Sequence, residues 1–305
     1  MDEQEKLTVQ EFNNTPYFSH KTYAYKVTAL IIILYIISGI ILSIFQSAFL
    51  NDEQGKIFSI YSQGFLQLVI ILLPTLYFAR RALLPFDILI RKKNSISIKQ
   101  VVAGIMGIIA FQMFATGYMV IQERIIPDML LPYYYEMEQL IEDLYISLLG
   151  GSGTFDLTRA MIIGALIPAV SEETLFRGFL QTSLEQEMPA VKAIIITSLI
   201  FSILHLNPIG FLPLLCIGVY LGFTAWASRS LVLPVIIHFT NNAIAVIVIF
   251  SPQLNEIEEK TSELPLSNAI FLFVGGLIIV IASCYVIYKD TPGNNNLKEL
   301  HLIEK

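Results

Sequence analysis

The sequence predicts an all-α, polytopic integral membrane bundle of about eight transmembrane helices, with both termini cytoplasmic. Three observations carry that expectation. Of 305 residues, 55% are hydrophobic and only 14% charged, at a mean hydropathy of +0.66, whereas an ordinary soluble domain is about one quarter charged. Several uninterrupted apolar stretches reach the roughly 20 residues that a helix rising about 1.5 Å per residue needs to cross the hydrocarbon core. Lys and Arg gather in alternate connections, as the retention of positive flanks on the cytoplasmic side requires.

Taken in order, spans are expected near Val27–Leu50, Ile57–Ala79, Val101–Ile121, Leu157–Leu180, Ala190–Leu206, Phe211–Ala227, Leu231–Phe250 and Ala269–Tyr288, the fifth and sixth being short for full crossings. The N-terminal tail carries Asp2, Glu3, Glu5 and Glu11 and lacks a basic region leading into a short apolar segment. A cleavable signal peptide is therefore not expected. Orientation rests on the loop Arg80–Lys99, where Arg80, Arg81, Arg91, Lys92, Lys93 and Lys99 face the single acid Asp87. That loop should be cytoplasmic. Alternation then places the acid-rich segments Asn51–Lys56, Gln122–Asp156 and Ser251–Leu266 outside, and Lys21, Lys26, Arg229 and Lys289 inside. The expected location is the cell membrane, crossed many times.

One membrane domain is expected, divided into a cytoplasmic tail (1–26), N-terminal membrane helices with an exoplasmic loop (27–156), a catalytic membrane core (157–250), a second exoplasmic loop with the last span (251–290) and a cytoplasmic tail (291–305). Within the first loop, Met137, Leu140, Ile141, Leu144 and Ile146–Leu148 space the stretch Glu136–Leu148 as an amphipathic interfacial helix. Tyr133, Tyr134 and Tyr135 fit an interfacial aromatic belt, and Gly150–Gly153 reads as a flexible connection. A net charge of −6 without a basic stripe offers nothing to nucleic acid. Cys216 and Cys284 sit inside apolar spans, where a thiol behaves as a small hydrophobe, so neither a disulfide nor thiol catalysis is expected.

The informative residues are those a lipid-facing helix could not tolerate. An ionisable group at bilayer depth costs about 2.5–3.5 kcal/mol on insertion scales and turns toward protein or a water cavity. The first cluster is Glu172-Glu173-Thr174-Leu175-Phe176-Arg177. Glu173 and Arg177 are four apart in acid-first order and can pair along one helical face. Glu172, turned about 100° away, lacks that partner and is left for chemistry. His205 ends an apolar run that begins its motif at Phe201, and His238 and Asn242 lie four apart on one face of the seventh span. A hairpin turning at Met188-Pro189 puts Glu172 and His205 each 16 residues from the turn, level at roughly 24 Å.

At these residues the sequence resembles the CPBP family, which groups CAAX proteases and bacteriocin-processing enzymes with type II CAAX prenyl endopeptidases and abortive-infection proteins. The resemblance covers about Met161–Ile249 and rests on E-E-x-x-x-R (Glu172, Glu173, Arg177), F-x-x-x-H (Phe201, His205) and H-x-x-x-N (His238, Asn242) in that order. It implies an intramembrane glutamic endopeptidase that needs no cofactor. Glu172, assisted by His205, would activate water, and His238 and Asn242 would stabilise the oxyanion, while Glu173, Arg177 and Phe201 would support the site and face the substrate. The implied partners are the lipid bilayer and a membrane-associated peptide or lipidated protein. Glu172, His205 and His238 also offer a zinc ligand set, although H-E-x-x-H is absent. A proton-coupled transporter would need its ionisable groups strung across the bilayer, and a non-catalytic scaffold would need none of them.

Overall fold

The computed structural model describes residues 19–50, 52–82, 84–91, 95–254 and 260–291. The N-terminal tail to residue 18, most of the C-terminal tail, Lys92 and Lys93 of the basic loop, and part of the second loop expected outside lie outside the described residues. Among the described residues all regular structure is helical. Helix α1 is His20–Phe49, capped by the Ser19 side chain, which accepts from the Thr22 N–H. Helix α2 runs through Asp52–Leu66, Gln67–Leu72 and Leu73–Arg81, and α3 is Ile98–Ile125, opened by a capping box of Ser97 and Gln100. Helix α4, Leu131–Leu149, leads to α5, Thr154–Glu185. Then follow α6 (Ala190–Leu204), α7 (Phe211–Ser228), α8 (Val232–Phe250) and α9 (Leu266–Asp290).

Among the described residues seven helices are long and apolar enough to cross a membrane, and α6, at 15 residues, falls short of that length. The eight expected spans are thus all helices. Helix α4 begins five residues earlier than the apolar spacing suggests, because Pro132 sits in its first turn, where a missing N–H costs nothing. The tyrosines are consequently helical: Tyr134 is buried, and Tyr135 donates from its hydroxyl to Glu123 at 2.6 Å. Gly150–Gly153 is not a free tether. The Gly150 N–H donates to Ile146 O, Gly150 O accepts from Arg159 Nη2, and the Ser152 N–H donates to Asp156 Oδ2.

Helices α2 and α5 are not regular α-helices throughout. Each widens into a π-helical stretch, Gln67–Leu72 in α2 and Met161–Leu166 in α5, shortly before a proline, Pro74 or Pro168. Proline has no N–H to return to the preceding turn and its ring crowds the carbonyl there, so the ladder shifts register. A second π-helical stretch in α5, Thr174–Gln181, follows directly on Glu173.

At one end of the bundle Arg91, Lys21 and Lys99 each pair with an acid. Arg91 forks both Glu185 oxygens at 2.9 Å and donates from Nε to Arg177 O and from Nη1 to Ala225 O, tying the ends of α5 and α7. Lys21 reaches Glu187, and Lys99 and Ser97 reach Asp290. Helices α3 and α9 pack along an extended seam. Gly117 and Gly276 let the two backbones touch there: a Cβ on Gly117 would lie 2.5 Å from Ala269 O, and one on Gly276 would lie 2.6 Å from Ala110 O. Small residues that bring backbones into contact are how helices associate where lipid is as apolar as the side chains.

Candidate active site

A cavity of about 1870 Å³ lies among α1, α2, α3, α4, α5 and α8 and the C-terminal end of α6. Glu172, His205, His238 and Asn242 all line it, as do Gln67, Tyr35 and Phe201. The four residues singled out in the sequence therefore share one space. At its acidic margin, loss of solvent and then the neighbouring carboxylates of Glu123 and Glu142 push the Glu138 carboxyl above its ordinary range.

The two adjacent glutamates have different surroundings. Glu173 is 0% exposed, and its Oε1 accepts from Arg177 Nη1 at 3.0 Å. Arg177, 1% exposed, also donates from Nη2 to Gly218 O at 3.2 Å and lies 4.6 Å over the Phe201 ring. This is the i,i+4 pair expected. The same Oε1 accepts from His238 Nδ1 at 2.8 Å, a contact between residues 65 apart that no sequence spacing announces. Glu172, on the half-buried face, is not isolated either: its Oε1 accepts from Gln67 Nε2 at 3.0 Å, while its Oε2 makes no hydrogen bond within the protein.

The acceptors fix the histidine tautomers. His205 caps α6, where its Nδ1 lies 2.7 Å from Phe201 O, and a carbonyl can only accept, so Nδ1 carries the proton. His238 Nδ1 likewise donates to the Glu173 carboxylate. In their neutral forms both rings keep an Nε2 lone pair. Phe201 packs against both, with its centroid 4.4 Å from His205 and 6.0 Å from His238, and stands edge-on to Phe176. Asn242 is oriented by a relay: Gln112 Nε2 donates to Asn241 Oδ1 at 2.8 Å, and Asn241 Nδ2 donates to Asn242 Oδ1 at 3.1 Å. That leaves the Asn242 amide N–H groups available as donors.

Sequence reasoning missed Gln67, Gln112 and Asn241. An uncharged amide inside an apolar run is the signal that could have found the first two. Among the described residues no group of three His, Cys, Asp or Glu side chains is gathered closely enough to hold a metal ion.

Residues 154–244 match the family model described as type II CAAX prenyl endopeptidase Rce1-like. No curated protein and no solved structure matches the chain. The matched residues run from the start of α5 into α8, and Glu172, Glu173, Arg177, Phe201, His205, His238 and Asn242 all fall inside them. Over residues 154–244 the sequence is thus similar to the type II CAAX prenyl endopeptidase family.

Proposed function

We propose that this protein is an intramembrane endopeptidase of the CAAX-protease type, which hydrolyses a peptide bond of a membrane-associated or lipidated substrate with a water activated by Glu172. The observation that carries the reading is the division of labour between neighbours. Glu173 is held by a cation and a histidine, Arg177 and His238, both on its Oε1, whereas Glu172 lines the shared cavity and meets only the uncharged Gln67 amide; the Oε2 of each makes no hydrogen bond within the protein. A carboxylate so placed is a competent general base.

In the proposed reaction, Glu172 takes a proton from water as the oxygen attacks the scissile carbonyl carbon. His205, its Nδ1–H fixed on Phe201 O, accepts from the same water through Nε2 and orients it. Asn242 donates to the oxyanion through the N–H groups its relay leaves available. His238 joins it as a donor when both ring nitrogens carry protons, with Glu173 balancing the charge. Collapse breaks the C–N bond, and the proton held by Glu172 passes to the departing amine. We read the chemistry as metal-free, so activity should survive chelation.

The end of the bundle that carries Arg91, Lys21 and Lys99 is read as cytoplasmic. A membrane-impermeant thiol reagent should then reach cysteines placed in the Arg80–Lys99 loop only after the membrane is opened. Peptides released from membranes with and without the protein would identify a substrate. Against that substrate, a folded Glu172→Gln variant keeps shape but loses the base and should lose nearly all turnover. Turnover close to the parent's would refute the glutamate mechanism.

A further inference from the structure

Gln67 belongs to α2, outside the matched residues 154–244, yet it is 5% exposed and lines the cavity. Burying an amide is unfavourable unless it is hydrogen-bonded. Its Nε2 donates to Glu172 Oε1 at 3.0 Å, while its own Oε1 makes no hydrogen bond within the protein. Gln67 also opens the π-helical stretch that precedes Pro74, and π-bulges recur at functional sites. We propose that Gln67 is a positioning residue for Glu172, fixing one carboxylate oxygen and supporting the ionised form that serves as base. The N-terminal helices thereby complete a core otherwise supplied by residues 154–244.

This rests on the glutamate reading above and deepens it. An amide suits the task because it donates without carrying charge and does not titrate, so it holds Glu172 without neutralising it. A hydrogen bond to a charged acceptor is roughly twice as strong as one between neutral groups, so the donor favours the carboxylate over the carboxylic acid. The other titratable groups facing Glu172 are Tyr35 from α1, Tyr145 from α4, and Glu173 and Arg177 on its own helix, with His205 and His238 across the cavity. Holding Oε1 still also leaves Oε2, buried and without a hydrogen bond within the protein, as the oxygen not already committed.

The test needs no substrate. A hydrophobic carbodiimide reacts with protonated carboxyl groups inside membranes, and its adduct on Glu172 can be quantified by mass spectrometry across pH on the full-length protein in detergent. Gln67→Met, similar in length but without a donor, should raise labelling of Glu172 at neutral pH about tenfold and move the labelling profile to higher pH. Gln67→Glu keeps the shape but puts an oxygen where the donor stood, so it should raise labelling at least as much. Gln67→Glu also covers the case in which Gln67→Met does not fold. A folded variant of either kind that labels Glu172 at the native rate at every pH, or not at all, overturns the proposal. Turnover by Glu172→Gln would instead overturn the peptidase mechanism, and the labelling result would still stand or fall on its own.

Discussion

Replacing Arg177 by Met retains the aliphatic stem and removes the guanidinium. Four contacts go with it: the 3.0 Å bond to Glu173 Oε1, the 3.2 Å bond to Gly218 O and the ring contacts 4.6 Å over Phe201 and 5.8 Å over Phe176. The first dominates, because Glu173 is 0% exposed and is left with the His238 N–H alone. Removing one partner of a buried ion pair costs about 3–5 kcal/mol, a large share of a typical stability of about 5–15 kcal/mol. At a few degrees per kcal/mol, the unfolding midpoint should fall by about 5–15 °C. Glu173→Gln should cost a comparable amount for the mirror reason, since it strands the guanidinium.

The combination separates pairing from packing. In Arg177→Met/Glu173→Gln neither charge is buried alone, and the Gln carbonyl can still accept from His238 Nδ1. The double variant should therefore be more stable than the sum of the single losses by at least about 2 kcal/mol. A thiol-reactive dye that reports exposure of Cys216 and Cys284, both only partly accessible in the fold, supplies the unfolding readout in detergent. Strictly additive losses would show that the residues act independently and would refute the ion-pair argument.

Two further predictions concern the frame and the site. Gly276→Ala places a Cβ 2.6 Å from Ala110 O, roughly 0.8 Å inside an ordinary C···O contact, and should destabilise by about 1–3 kcal/mol; Gly275→Ala, with nothing within 4 Å, is the matched control and should not lower the midpoint. Asn242→Ala should reduce kcat by about 10²–10³ through the loss of an oxyanion donor. Gln112→Leu, which breaks the relay behind Asn241, should lower kcat by less and leave KM nearly unchanged; a KM effect with kcat intact would place Asn242 in substrate binding instead.

The spans were legible because length and apolarity decide them, and both are local properties of the chain. The shortness of α6 could be read off directly, whereas α7, also read as short, reaches 18 residues and is long enough to cross. The Glu173–Arg177 pair was legible for the same reason, since i,i+4 neighbours meet wherever a helix forms. Contacts between helices were not. The His238–Glu173 bond joins residues 65 apart, and Gln67 lies 105 residues from Glu172, so both depend on how the bundle packs. Pro74 and Pro168 did hint that α2 and α5 would depart from regular geometry, but not that Gln67 would lie at one such departure.

One oxygen links stability to chemistry in this site. Glu173 Oε1 accepts from both Arg177 and His238, so it anchors the buried guanidinium and fixes the tautomer of a ring that lines the cavity. His205 has its Nδ1 proton on a backbone carbonyl, which cannot balance a full positive charge as a carboxylate can. In the proposed mechanism His238, whose partner is a carboxylate, is accordingly the ring assigned to the oxyanion, and His205, whose partner is a carbonyl, the ring assigned to orient water. The sequence suggested a structural role for Glu173 and a chemical one for Glu172. The shared oxygen argues that Glu173 serves both, so that Glu173→Gln should weaken the fold and, in the molecules that remain folded, slow the step that needs a charged His238.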